Sequence, residues 1–246
     1  MASAAPKEGL EINVTGSGYV VHAADRAILV LQAQSRQLPS PAEASAAVTS
    51  TANVLREAIL PHCYQDNTAG HAMGGAAISH YSMSTLDTSN HQQRPDKDGN
   101  MFPTTYSARV EFHIKFSDFD VLNTLATKFS AMENIKIQKI NWCLTDDTLN
   151  GIRGSARKLA AQDAIQRGWD YAEVFARVPA EDLAKKVVAT SVKEETYYSQ
   201  STRPQLHYGK KLRMEGTHPQ GREELQFQPE DVRLEAKVSA RFIVGV

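Results

Sequence analysis

The sequence predicts an α+β protein in which helices pack on one face of an antiparallel or mixed β-sheet. Three observations carry this. In Thr105 to Asp118, TYSARVEFHIKFSD, the residues Tyr106, Ala108, Val110, Phe112, Ile114 and Phe116 alternate with Ser107, Arg109, Glu111, His113 and Lys115. That is the two-residue period of a strand with one wet face. Val232 to Val244 alternates more cleanly still, with Arg233, Glu235, Lys237, Ser239 and Arg241 between Val232, Leu234, Ala236, Val238, Ala240 and Phe242. Elsewhere strand-like segments are separated by stretches with three- and four-residue apolar steps. This strand, helix, strand order suits helices on one face of a sheet, although no repeat of 20 to 50 residues is present in the sequence itself.

Residues 1–9 read as a loose tail and 10–246 as a single domain. Glu11 to Thr15 and Tyr19 to Ala23 are β-rich, and Gly16, Ser17 and Gly18 between them predict a turn, kink or bulge. Gly16 and Gly18 also spell GxG, but no third glycine opens a helix after them, so a phosphate-binding turn is not indicated. Asp25 to Gln34 reads as a strand buried partly on both sides. Ser40 and Pro41 then predict the start of a helix over Ala42 to Leu60, stopped at Pro61. A loop near 62–75 precedes a strand over Ala77 to Thr88, and a second loop near 90–103 makes a hairpin with the Tyr106 strand. Asp118 can cap a helix from Phe119 to Met132.

In Asn134 to Leu144, Ile135 and Ile137 have the opposite parity to Ile140, Trp142 and Leu144, which predicts a bulge or sharp twist near Gln138 and Lys139. The longest helical pattern runs from Thr148 to Val178. Its Ala160, Ala164, Gly168 and Ala172 form a ridge of small side chains that would let the helix approach a sheet or another helix closely. Pro179 and EDLAKK predict a break and a short extra turn, Val187 to Tyr198 a strand, and 200–226 a long polar loop before the last strand.

The 27 basic and 28 acidic residues nearly cancel, which removes the electrostatic footprint of a dedicated nucleic-acid binder and does little to oppose self-association. Cys63 and Cys143 read as two separate thiols of a reducing compartment. No apolar run approaches the ~18 residues that span a bilayer, and MASAAPKEGLEINV has no basic segment leading into an apolar one. The expectation is a cytoplasmic protein without membrane insertion.

The order of these landmarks resembles the SIMPL-domain proteins. The matching features are INVTGSG, the strand starting near Asp25 in HAADRAILVL, the proline-started helix, and the strand opening with Tyr106, Ser107 and Ala108. The turn Leu144, Thr145 and Asp146 follows, then the alanine-ridged RKLAAQDAIQRGWDYAEVF and the closing PEDVRLEAKVSARFIV. The likeness runs from about Leu10 to Val246. It implies an α+β fold, large ring-like or stacked oligomers, an association with stress tolerance including oxidative stress, and in some members signalling through protein partners. Bacterial members usually carry an export signal, which this N-terminus does not display, and the family offers no catalytic motif to carry over.

Candidate site residues fall into two groups. His71, His80, Tyr81, His91, Tyr106 and His113 could line a ligand pocket between sheet and helices. The spacing of the histidines lacks the short HxH, HxxxH or CxxC pairs of a zinc site, so neither a metal nor another cofactor is expected. His113, between Glu111 and Lys115, could act as a general base or as a cross-strand partner. His62 beside Cys63 matches no cysteine-hydrolase signature, and Asp146 with Asp147 suits a helix start better than an acid and base pair. The second group, Arg109, Glu111, Lys115, Arg233, Glu235, Lys237 and Arg241, mixes both signs on wet strand faces and suits cross-strand pairs or an oligomer interface. Basic residues with Tyr208 in the 200–226 loop are diluted by Glu215, Glu223 and Glu224. The leading expectation is a non-enzymatic, SIMPL-type homo-oligomer that acts through self-assembly or protein partners, in stress protection. The alternative is a small-molecule-binding protein or cofactor-independent enzyme.

Overall fold

The computed structural model describes residues 9–63, 76–92, 101–195, 198–202 and 227–245. The chain divides into two compact units, one built from its two ends and the other from its middle. Among the described residues no helix is long and apolar enough to cross a membrane.

The first unit holds β1 (Glu11–Ala23), α3 (Asp146–Ala176), the short α4 (Leu183–Lys186), β7 (Val187–Glu194), β8 (Tyr198–Thr202) and β9 (Asp231–Val244). Its sheet has the order β1-β9-β7, with β8 also on β9, and the pairings are antiparallel. The clean alternation of β9 is borne out: Val232, Leu234, Ala236, Val238, Ala240, Phe242 and Val244 are buried. The turn expected at Gly16 to Gly18 is not there. β1 is one unbroken strand in continuous register with β9, and both glycines lie on its buried side.

The reason is α3. Its buried residues Ala156, Ala160, Ala164, Gly168 and Ala172 follow the predicted ridge, and the ridge lies against β1 so closely that a Cβ on Gly16 would stand 2.2 Å from the Ala160 carbonyl oxygen. One on Gly18 would stand 2.3 Å from the Ala160 nitrogen. The glycines are a groove for the helix, and the alanines are the ridge that fits it.

α3 starts two residues earlier than the sequence suggests. Thr145 is its cap, accepting from the Thr148 N–H, and Asp146 and Asp147 form the first turn, where their charge opposes the helix dipole favourably. It ends at Arg177 in the left-handed conformation, φ 54°, two residues before Pro179. The strand expected over Val187 to Tyr198 is two strands, and β8 carries regular pairing on to Thr202, into the stretch expected to be loop.

The second unit holds β2 (Arg26–Gln34), α1 (Pro41–Ile59), β3 (Ile78–Met83), β4 (Asp87–His91), β5 (Thr105–Phe116), α2 (Phe119–Ser130) and β6 (Ile135–Cys143). Its antiparallel sheet runs β3-β5-β2-β6, with β4 continuing beside β5. The expected hairpin of β3 and β4 with β5 is present. The expected caps are also present: Ser40 accepts from the Glu43 N–H at 3.2 Å, and Asp118 from Asp120 and Val121.

The parity change in β6 is resolved where it was predicted. Val30 lies opposite Lys139 and Leu31 opposite Ile137, which leaves Gln138 as the extra residue of a bulge. Ile135, Ile137, Ile140 and Trp142 thereby all join the side of the sheet that carries Ala27, Leu29, Leu31, Phe112 and Ile114. Phe119 of α2 meets Trp142 edge to face at 5.1 Å.

The units share a plan that the sequence shows only as a recurring element order. Each runs strand, helix, interrupted strand, long connection, strand, and in each the last strand lies between the first and the interrupted one. β1, α3, β7 with β8, and β9 correspond in this sense to β2, α1, β3 with β4, and β5.

Candidate functional site

Because strand side chains alternate, burying one face of each sheet under helices sets aside the other face for polar groups. In the second unit that face carries Arg109, Glu111, His113 and Lys115 of β5. Arg109 makes an ion pair with Asp87 of β4 at 2.7 Å, its cross-strand neighbour. Glu111 meets His113 two residues on at 2.6 Å, on the same face. Gln138, projecting from the bulge, donates to Gln32 of β2.

Between β3 and β4 the strand is interrupted at residues 84–86. There Ser84 bonds Glu111 through its own backbone N–H at 2.8 Å, and its hydroxyl accepts from the Glu111 N–H at 3.0 Å. The interruption and the bulge lie on either side of an open hollow of about 470 Å³ lined by Gln32, Ser84, Thr85, Asp87, Arg109, Val110, Glu111 and Gln138.

The equivalent face of the first unit is built the same way. Arg241 of β9 pairs with Glu11 of β1 at 2.8 Å, and Asn13 donates to the same carboxylate at 2.8 Å. These partners hold Glu11 below the ordinary carboxylate value: the Asn13 hydrogen bond contributes most, and partial desolvation opposes it. Arg233 lies 3.8 Å over the Tyr19 ring and bonds Glu235 at 3.4 Å; Lys237 reaches Glu235 at 4.0 Å. Thr15 and Ser239 share a hydrogen bond at 3.2 Å across the strands. A hollow of about 380 Å³ is lined here by Asn13, Val14, Thr15, Ser191, Lys193, Ser239, Ala240 and Arg241.

The strand register separates the residues that the sequence offered as a pocket. His80 is opposite Lys115 and His91 opposite Thr105, so with His113 they belong to the face away from the helices. Tyr81 is opposite Ile114 and Tyr106 opposite Asn90, on the helix side. His91 bonds the Ser107 hydroxyl at 2.8 Å, not His113. His71 and the basic stretch 203–226 lie outside the described residues.

The histidine and carboxylate at His113 and Glu111 have the chemistry of a general base with an orienting partner. They stand on an open face, with side chains 46% and 41% exposed, so water is not excluded from them. Among the described residues no three or more His, Cys, Asp or Glu come together in a way that could hold a metal ion. Cys63 bonds the Ile59 carbonyl rather than His62, and burial pushes both the Cys63 and Cys143 thiols above their ordinary value. Neither thiol is activated as a nucleophile.

Sequence reasoning named the charged residues of β5 and β9 but missed their partners Asp87, Glu11 and Asn13, together with Gln32, Ser84 and Gln138 of the hollow. The parity break at Gln138 was the available signal, since a bulge re-aims a side chain.

No curated protein matches the chain. The family described as "SIMPL: Protein of unknown function (DUF541)" matches residues 12–242, a span that takes in both sheets and the helices α1, α2 and α3. With that match over nearly its whole length, the chain belongs to the SIMPL family.

Proposed function

We propose that the protein works by association, with copies of itself or with other proteins, through the helix-free faces of its sheets. The supporting observation is that the charges on these faces are held in cross-strand pairs, Arg109 with Asp87 and Arg241 with Glu11, around open polar hollows. Groups already fixed by a partner lose less freedom on docking, and a surface of both signs discriminates by charge pattern. A catalytic site needs enclosure as well as reactive groups, and the His113 and Glu111 pair stands in the open. On this reading the protein is a non-enzymatic, cytoplasmic homo-oligomer or partner-binding protein, and the stress protection that SIMPL resemblance implies would follow from assembly.

Light scattering coupled to size separation tests this. A defined species well above the 27.1 kDa chain is expected, with Arg109→Glu and Arg241→Glu reducing its mass. A 27.1 kDa monomer at every concentration, with no protein recovered in complex, would sink the proposal.

A further inference from the structure

The outer edge of β1 carries a feature that the face pairs do not explain. In the β1 and β9 ladder the even residues of β1 exchange backbone hydrogen bonds with β9: Val244 N–H donates to Leu10, and Ala24 N–H to Glu230 at the other end. The N–H and C=O groups of Asn13, Thr15, Ser17, Tyr19 and Val21 therefore point away from β9, to an edge where no described strand pairs.

Such an edge invites a second chain, and other edge strands in this protein carry obstacles to one. β6 has the Gln138 bulge with Lys136 and Lys139, β7 has Lys193 and a register shift at Ala189 and Ser191, and β3 has a shift between Ile78 and His80. β1 has none of these. It runs 13 residues in unbroken register, without proline, lysine or arginine, and Glu11 is its one acidic residue and His22 its one histidine. What β1 has instead is Asp163. This residue of α3 reaches past the ridge and accepts the outward N–H of Ser17 at 2.8 Å, in the middle of the edge, while Arg167 steadies the same carboxylate oxygen at 3.0 Å.

We infer that Asp163 is a guard on the β1 edge, and that the association it blocks is antiparallel pairing with β1 of a second copy of this chain. A second copy is the fitting occupant because antiparallel strands are self-complementary about a two-fold axis. With so few charges on β1, pairing it with itself sets few like charges against one another. The carboxylate occupies the central donor that such a ladder would use, and its charge meets its own copy across the axis. This contact is distinct from the face-to-face association proposed above and does not depend on it.

Two measurements test the guard. On the wild-type chain, hydrogen exchange corrected for intrinsic rates should find the Ser17 amide roughly tenfold slower than those of Thr15 and Tyr19, the factor expected of one charge-assisted hydrogen bond. Equal rates at the three amides would overturn the inference whether or not any variant folds. In solution, Asp163→Ala should gain mass over the wild type as concentration rises. Adding Val21→Pro, which removes an outward N–H without touching the β9 ladder, should return it to the wild-type mass. An Asp163→Ala mass equal to wild type throughout, or a gain that survives Val21→Pro, would overturn it. The wild-type mass and the recovery of partner complexes decide the proposal for the sheet faces, and neither bears on Asp163, so the two can fail separately.

Discussion

Replacing Gly16 by alanine adds one methyl group to the buried side of β1, and the structure sets how badly it fits. The new Cβ would stand 2.2 Å from the Ala160 oxygen and 2.4 Å from the Ala164 nitrogen, where ordinary contacts begin at 3.4 Å. Both are backbone atoms, so no rotamer change relieves the clash, and α3 must retreat by roughly 1 Å. A retreat of that size also loosens the rest of the ridge, since a gap of 0.5–1 Å forfeits about a quarter to a half of each dispersion contact. Overpacking costs about 1–3 kcal/mol where side chains can adjust, so the loss here should be about 3 kcal/mol or more. For a chain of this size that corresponds to a fall in Tm of roughly 6–12 °C.

Each unit contains one tryptophan, Trp169 on α3 and Trp142 on β6, so unfolding of the first unit can be followed separately. In a Trp142→Phe background, urea titration of Trp169 fluorescence should show the lowered midpoint for Gly16→Ala, and likewise for Gly18→Ala. Trimming Ala164 to glycine should not rescue Gly16→Ala, because backbone remains in the way. A midpoint within error of the parent, or rescue by Ala164→Gly, would refute the groove and ridge argument.

The same substitution should act in the opposite direction at Gly151 and Gly154, where a new Cβ meets nothing within 4 Å. Each change to alanine should gain up to about 1 kcal/mol from helix propensity, read in the same titration. Ser40→Ala removes the acceptor at the start of α1 and should cost about 0.5–2 kcal/mol in the second unit, followed by Trp142. Glu11 has a folded-state pKa below its ordinary 4.5, so its contribution to stability is complete above that value and is lost as pH falls through the lowered one. Asn13→Ala should move the Glu11 titration, measured by NMR, back towards 4.5. The Cys63 and Cys143 thiols should alkylate slowly at neutral pH, with rates still rising above pH 9.0; rapid labelling at pH 7 would show that they are not held up by burial.

What the sequence revealed and what it hid divide along the range of the contacts involved. The Gln138 bulge could be read because parity is local: Ile137 and Ile140 cannot share a face three residues apart in a regular strand. The Ser40, Asp118 and small-residue ridge signals are local too. Gly16 and Gly18 were misread as a turn because a glycine that frees the backbone and a glycine that admits a neighbour look identical until the neighbour is known. Here the neighbour is Ala160, more than a hundred residues away. The wet faces were likewise visible from alternation, yet Arg109 finds Asp87 and Arg241 finds Glu11 only through strand pairing. Among the described residues the candidate histidines and tyrosines lie on opposite faces for the reason that first identified β5: adjacent residues of a strand face opposite ways.

This separation of faces also separates folding from the proposed association in energy. On the helix side a single methyl group at Gly16 is expected to cost about 3 kcal/mol, because the packing there leaves no room. On the other side the pairs Arg109 with Asp87 and Arg241 with Glu11 are half exposed, and solvent screening leaves such pairs little weight in stability. Folding therefore places little demand on which charges occupy the outer faces, yet the faces carry an ordered pattern of them. Charge reversal at Arg109 or Arg241 should leave each unit folded while altering what it binds. Loss of folding on reversal would mean that these pairs hold the sheets together, and the case for the outer faces as working surfaces would fall with it.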